Sequence, residues 1–317
     1  MRALVAVGAC YLDTILTVDH YPQEDEKLRA SHVSRRRGGN CPNSLEVLQQ
    51  LFENGPDAAV SVPLYAVLVL PAKSSPAVRE VQTSLGSKVD LRHCIYREEW
   101  RDAASSYIIR SQSAGTRTIV NYNPLPEMTA DEFVQVADDL PADPTWFHFE
   151  GRIPEVTLAC MQYVRRKNPG NRVSVEIEKP DRAGLRELAA EADVVFYSKN
   201  WAQWNGYQSP RELLEAELLL TPKAAILCCT WGEGGAVGLD VDRMAYIDTP
   251  AFRDSQRPVV DTTGAGDTFI AGMLHGLLVH EDQFELAKEM RFASRLAGHK
   301  VTREGFDGLG TAAVEQL

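Results

Sequence analysis

PVVDTTGAGDTFIAG, residues Pro258 to Gly272, is the stretch from which the rest of the chain can be read. Pro258-Val259-Val260 closes a short extended run, and Asp261-Thr262-Thr263 makes a turn. Gly264-Ala265-Gly266 then opens a segment that reads as an amphipathic helix to about Val279. Small residues at a helix start leave backbone N–H groups unpaired and facing outward, with the positive end of the helix dipole behind them. Such an end accepts phosphate or developing negative charge. Asp267 follows inside the first turn. A carboxylate beside an anion hole suits one task well, taking a proton from a hydroxyl while a phosphoryl group arrives, and the dipole is expected to keep its pKa low.

Two common phosphate motifs fit worse. A dinucleotide fingerprint would need glycine where Phe269 stands, which disfavours a nicotinamide-dependent oxidoreductase. A P-loop would need a lysine after the glycines, and none follows. A purely structural reading is also open, in which Gly-Ala-Gly lets a helix lie close to a strand and Asp267 is a first-turn charge.

The bulk of the chain bounds the rest. Its 317 residues are 44% hydrophobic and 24% charged, ordinary for a globular protein with a large core. A net charge of -11, from 33 basic and 44 acidic residues, argues against a nucleic-acid surface. Arg35-Arg36-Arg37 and Arg165-Arg166-Lys167 are expected to be solvated element ends. The six cysteines show no C-x-x-C pair or framework spacing and read as reduced thiols of a cytoplasmic protein. Arg2 to Leu12 faintly imitates a signal peptide, but Asp13 interrupts it, so a first buried strand is the better reading. No stretch approaches the 18 or so apolar residues of a membrane span. No H-E-x-x-H or Cys/His cluster suggests zinc, and His148 on its apolar strand reads as a hydrogen-bonded structural residue.

Taken in order, Leu4 to Val7 is a short strand ending at Gly8. Asp13 to Arg37 alternates irregularly, as extended strands that leave the main body. In Arg37-Gly38-Gly39-Asn40-Cys41-Pro42-Asn43, Pro42 suits the first position of a helix whose apolar positions are Leu45, Val47, Leu48 and Leu51. The glycines would let backbone approach a ligand, and Asn40 and Asn43 offer donors and acceptors to hydroxyls. Ala103–Arg110 and Thr116–Tyr122 pair around a turn. From Trp146 onward strand and helix alternate: strands at Phe147–Glu150, Val173–Ile177, Val194–Tyr197 and Ala224–Cys229, helices near Pro154–Lys167, Asp181–Glu191 and Pro210–Leu220. Repeated units of this kind imply a parallel sheet covered on both faces, with ligands beyond the strands' C-terminal ends. Four groups of residues fall there: Glu150 with Arg152, Glu176 with Glu178, Lys199, and the glycine-rich turn from Thr230 to Gly238.

The whole of DTTGAGDTF, together with RRGGNCPNS, GTRTIVNYN, FHFEGR, VSVEIEKP, CTWGEGGA and EGFDG, resembles the ribokinase/PfkB family of carbohydrate kinases over nearly the whole chain, Gly8 to about Gly308. Within it the chain is most similar to ketohexokinase-like sequences. Ordinary ribokinases usually show Asn-x-x-Glu near the fifth strand, where Ser198-Lys199-Asn200-Trp201 stands here. The Gly-x-Asp-x-x-Gly turn of many members is replaced by VPLYAVLVLPAKSSP.

The resemblance implies a ribokinase-like, three-layer α/β fold with a doubly wound, mainly parallel sheet and a small β-sheet lid. The expected body is 1–12, 38–97 and 124–317, and the lid 13–37 and 98–123. It further implies an ATP-dependent phosphotransferase acting on a ketohexose such as fructose at its C1 hydroxyl. Kinases of another sugar or of a nucleoside, and a non-enzymatic sugar-responsive regulator, are the rival readings. Asp267 would be the base and Gly264, Ala265 and Gly266 the anion hole. Asp13, Asp25, Gly39, Asn40, Asn43, Arg117, Glu150 and Arg152 would hold the sugar. Lys199, Thr230, Gly232, Glu233, Gly235, Ala293, Ala297 and Gly298 would bind ATP. Glu233 would order a magnesium-bound water, and Asp261 and Thr263 would offer backbone oxygens to a monovalent cation such as K+. The lid strands, with exposed edges and the apolar residues Ile15, Leu16, Val18, Tyr107, Ile108 and Ile109, would pair two chains into a homodimer.

Overall fold

In the computed structural model, which describes residues 3–140, 145–254 and 257–314, the first half of the chain forms β1 (Leu4–Gly8), β2 (Tyr11–Val18), β3 (His32–Gly38), α1 (Asn40–Asn54), β4 (Leu64–Pro71), α2 (Pro76–Leu85), β5 (Val89–Asp90), β6 (Ile95–Arg97), β7 (Ser105–Ser111), β8 (Arg117–Tyr122) and α3 (Ala130–Asp139). The second half forms β9 (Trp146–Glu150), α4 (Pro154–Lys167), β10 (Arg172–Ile177), α5 (Leu185–Glu191), β11 (Val194–Tyr197), α6 (Lys199–Trp204), α7 (Pro210–Glu217), β12 (Ile226–Thr230), β13 (Ala236–Asp240), β14 (Ala245–Thr249), α8 (Ala265–Val279), α9 (Leu286–Val301) and α10 (Leu309–Val314). Arg2, where the apolar opening run was taken to begin, lies outside the described residues.

The large sheet runs β14-β13-β12-β11-β10-β9-β1-β4-β5, with β6 beside β4. Pairing is parallel from β12 to β5 and antiparallel at β12–β13–β14. Successive residues of β1 point to opposite faces, as strand geometry requires. Leu4 and Ala6 join one apolar layer with α1, α2, α8, α9 and α10, and Val5 and Val7 join the other with α3, α4, α5, α6 and α7. This is the expected three-layer α/β arrangement. Strand order reverses at β1, between β4 and β9, and ligands of such sheets bind at that point beyond the strands' C-terminal ends.

Local structure corrects three expectations and explains one unusual segment. Helix α1 begins at Asn40, so Pro42 sits third in the first turn, where its missing N–H is still one of the unpaired four. Helix α5 begins at Leu185 because Gly184 takes a left-handed φ of 93° just before it. Helix α8 is buried from Thr268 to Leu278 on every side, so it is a central helix and not an amphipathic one. The unusual VPLYAVLVLPAKSSP segment is β4 followed by the start of α2, where Ser75 caps the helix by accepting from Ala77 N and Pro76 holds the first position.

A separate four-stranded sheet runs β3-β2-β7-β8. Its register sorts the side chains into two faces. Thr14, Tyr107 and Val120 are cross-strand neighbours, as are Leu16 with Val33 and Ile109. On the other face lie Asp13 with Arg36, Ser106 and Asn121, and Arg110 with Arg117. The apolar list expected for an outer face is therefore half right. Ile15, Val18 and Ile108 are buried, whereas Val33, Tyr107, Ile119, Val120 and Tyr122 are exposed.

Candidate active site

Gly264 precedes α8 with φ 80°, and a Cβ there would come within 2.4 Å of the Phe306 ring. Only glycine serves at this position. It turns the chain so that Ala265, Gly266 and Asp267 occupy the first turn, with no side chain capping their N–H groups. Ala265 N donates to Thr262 O at 3.3 Å, and the Asp267 carboxylate shares this first turn. Asp267 accepts a hydrogen bond from Asn43 Nδ2 at 2.6 Å, and its backbone carbonyl accepts one from Ser44 Oγ at 3.0 Å. Asn43 is itself held, because its Oδ1 accepts from Arg37 Nη1 at 2.7 Å and Arg37 pairs with Glu46. Asn43, read as a sugar ligand, therefore orients the Asp267 carboxyl.

The electrostatics reverse one expectation. The Asp267 carboxyl is pushed well above the usual carboxylate range, first by desolvation and then by the charges of Glu176, Glu178 and Glu150, with the Asn43 hydrogen bond opposing. Burial and the neighbouring carboxylates thus act against the pull of the helix dipole on this group.

Glu150 and Glu176 are cross-strand neighbours at the ends of β9 and β10. Glu150 Oε2 accepts from Ala9 N at 2.9 Å, and Asn40 Nδ2 donates to both Glu176 (2.8 Å) and Glu178 (2.9 Å). Asn40 is free for this because the helix is capped by Gly39, whose φ of 108° and approach to Ala9 O, 2.1 Å from a would-be Cβ, exclude any other residue. Burial followed by the charge of Glu150 raises the Glu176 carboxyl well above its usual range, and burial raises Glu150. Behind them His148 bonds Glu176 Oε1 and Ser174 Oγ, each at 2.9 Å, and Ser174 accepts from Trp146 Nε1 at 2.9 Å. Burial pushes His148 down to about 3, so it is neutral, as expected of a structural histidine. Cys41, His148 and Glu176 lie within metal-ligand reach of one another, but Cys41 Sγ donates to Val7 O and both His148 nitrogens are engaged. This cluster is a hydrogen-bonded core.

The basic run Arg35-Arg36-Arg37 corrects the reading of solvated element ends. Arg35 is exposed, but Arg37 is buried on Asn43 and Glu46, and Arg36 Nη1 reaches Asp261 Oδ2 at 2.7 Å. Arg110 approaches Asp261 at 3.9 Å, and Arg117 donates to Thr263 Oγ1. Three arginines of the small sheet thus meet the turn before α8. Alternation along β3 was the available signal. Lys300 was missed altogether. It is fully buried, and its Nζ donates to Asp261 O at 3.0 Å and Oδ2 at 3.1 Å. An ammonium on these oxygens does not fit the expected K+ site at Asp261 and Thr263.

The remaining residues divide. Asp13 is buried on the inner face of the small sheet, and its pKa is raised chiefly by that burial. Arg152 bonds Tyr11 Oη at 2.8 Å and pairs with Glu127 beside the β1–β9 switch point. Asp25 stands exposed in a turn with φ 61°. Lys199 starts α6 and lies 5.6 Å from the Trp231 ring, above the turn containing Thr230, Gly232, Glu233 and Gly235. Glu233 is exposed and pairs with Arg253 at 2.9 Å. Two α9 residues are corrected: Ala293 is buried against Gly272, and Gly298 is closed over by Phe252, so neither faces a ligand. Ala297 remains half-exposed on that helix.

A family model described as pfkB family carbohydrate kinase matches residues 1–309. The chain is 33% identical to ketohexokinase of Mus musculus over 315 residues, covering 97% of this chain and 99% of that one. It is 30% identical to a fructokinase of Rhizobium leguminosarum bv. trifolii over 212 residues, 62% of this chain and 61% of the other. Among solved structures, Arabidopsis thaliana ribokinase complexed with ribose and ATP superposes with a TM-score of 0.73 at 18% identity, covering 96% of this chain and 94% of that one. The nucleoside kinase of Methanocaldococcus jannaschii gives 0.71 at 18% identity, covering 99% and 97%. These two likenesses establish the fold alone.

Proposed function

Because this chain belongs to the pfkB family of carbohydrate kinases, we propose that it transfers the γ-phosphoryl group of ATP to the C1 hydroxyl of a ketohexose such as fructose. The observation that carries the reading is Asp267, held by Asn43 in the first turn of α8 directly after Gly264, Ala265 and Gly266, a turn that no side chain caps. A substrate hydroxyl set against Asp267 gives its proton to the carboxylate as its oxygen bonds to phosphorus, and ADP departs. The N–H groups face the oxygens of the phosphoryl group in flight. The small sheet acts as a lid, presenting Asp13, Arg36, Arg110 and Arg117 over the site and excluding water.

Glu150, Glu176, Glu178 and Asp267 crowd four carboxyl groups with raised or mutually raising charges, a donor set that fits Mg2+ arriving with ATP. Glu176 and Glu178 would hold it directly or through water; Glu233 is exposed and pairs with Arg253 at the surface. Bound there, magnesium would neutralise phosphate charge. Ketohexose specificity is supported by the names of the two relatives and by polar groups that would be left unpaired by a substrate lacking matching hydroxyls. A cytoplasmic location agrees with ATP use and with six cysteines that are all free and buried. A coupled assay for ADP over fructose, other ketohexoses, ribose and adenosine tests the proposal. Turnover greatest with fructose supports it. Turnover with ribose or adenosine and none with fructose removes the ketohexose, and no turnover with any acceptor removes the kinase.

A further inference from the structure

The K+ site implied by the family resemblance is filled by the chain itself. Lys300, near the end of α9, points its Nζ at three oxygens: Asp261 O at 3.0 Å, Asp261 Oδ2 at 3.1 Å and Arg303 O at 3.4 Å. An ammonium carries three donors and no acceptor, so this set satisfies it fully. The Phe306 ring lies 5.5 Å from Nζ, and the same ring lies against Gly264. The other polar atoms of Asp261 are engaged as well. Oδ1 accepts from Thr263 N at 3.0 Å, Arg36 takes Oδ2, and Val260 N and Asp261 N both donate to Val301 O. One carboxylate already faces two cations, Arg36 and Lys300, so a soluble cation entering here would meet net repulsion.

We propose that the Lys300 ammonium is the resident cation of the turn from Asp261 to Gly266, positioning the anion hole without any soluble monovalent ion. Its covalent tether keeps the turn formed in the free protein. The Asp261 carboxyl, although desolvated, is held well below the usual range by Thr263 N, Arg36 and Lys300, as an ion-paired carboxylate should be. Lys300 is a positioning residue here, acting on phosphoryl transfer through the turn.

The kinetic part of the test rests on the kinase reading, and the thermal part does not. Wild-type turnover and melting temperature are measured in KCl and in choline chloride at equal ionic strength. The proposal expects no difference between the salts in either quantity. Lys300→Ala is expected to lose about 10- to 100-fold in kcat with little change in KM, the usual scale for a lost supporting contact. It should also acquire a response to K+, absent in choline, in both rate and melting temperature. Lys300→Met, which keeps the volume, serves if the alanine variant does not fold. A K+-specific rise in wild-type rate or melting temperature overturns the proposal, and so does a normal kcat in Lys300→Met. If no kinase activity is found, the melting comparison still decides, because only a filled site makes the wild type indifferent and the variant responsive.

Discussion

Asp267 shares its surroundings with three other carboxyl groups, and this decides how it should titrate. A base whose pKa is raised is protonated over a wider acid range, so activity is lost as pH falls through that raised value. The acid limb of kcat/KM should lie above the ordinary carboxylate range of about 4. Glu176→Gln removes the largest neighbouring charge acting on Asp267, and the limb should move to lower pH. A limb that stays in place would show that Asp267 does not set it. Asp267→Asn should leave the fold intact and reduce turnover by at least about a hundredfold, the scale of a lost general base. Near-normal turnover in that variant would remove Asp267 as the base. At this scale the sequence was partly legible. The base and its glycines stand in one short motif, whereas the raised pKa depends on β9 and β10, more than 80 residues away, as the separation of Glu176 from Asp267 shows. Lys300 carried no local sign at all: in helix α9 it reads as one more basic residue of a last turn.

Elements were the most legible level where local chemistry agrees with tertiary demand. Helix α4 falls at the residues expected, because Pro154 marks its start. Helix α8, expected to be amphipathic, is instead buried all round, and its glycines are close-approach positions: Gly272 lies on Ala293 and Gly276 on Glu289. The same reasoning makes Gly264 the weakest point of the site to alter. Gly264→Ala must hold a non-glycine residue at positive φ, costing about 1–2 kcal/mol, and must also move the Phe306 ring. The expected outcome is a lower urea midpoint and a fall in kcat larger than any rise in KM. Stability and kcat both unchanged would mean that the turn is not held as described.

For the molecule as a whole, the exposed face of the small sheet is the feature in need of a partner. Val33, Tyr107, Val120 and Tyr122 stand outward on one face, on a sheet whose two edge strands, β3 and β8, are open. Such faces and edges are usually covered. A homodimer on this sheet, as expected from sequence, would be built on Val33, Tyr107, Val120 and Tyr122 and not on the buried Ile15 and Ile108. Sedimentation should give twice the chain mass of 35.1 kDa, and Val120→Asp with Tyr107→Glu should return the species to one chain. A wild-type monomer at micromolar concentration would reject the pairing. The alternation that builds this sheet also has a hereditary consequence. Outward residues alternate with inward polar ones on every strand (Asp13 on β2, Arg36 on β3, Arg110 on β7, Arg117 on β8), so a one-residue insertion or deletion within any of them would turn both sets over at once. Descendants of this chain should therefore vary in these strands by replacement only. Changes of length should collect at the β7–β8 tip around Gly115, where an added side chain meets no neighbour, and saturation indel libraries scored for growth-linked activity would show that contrast.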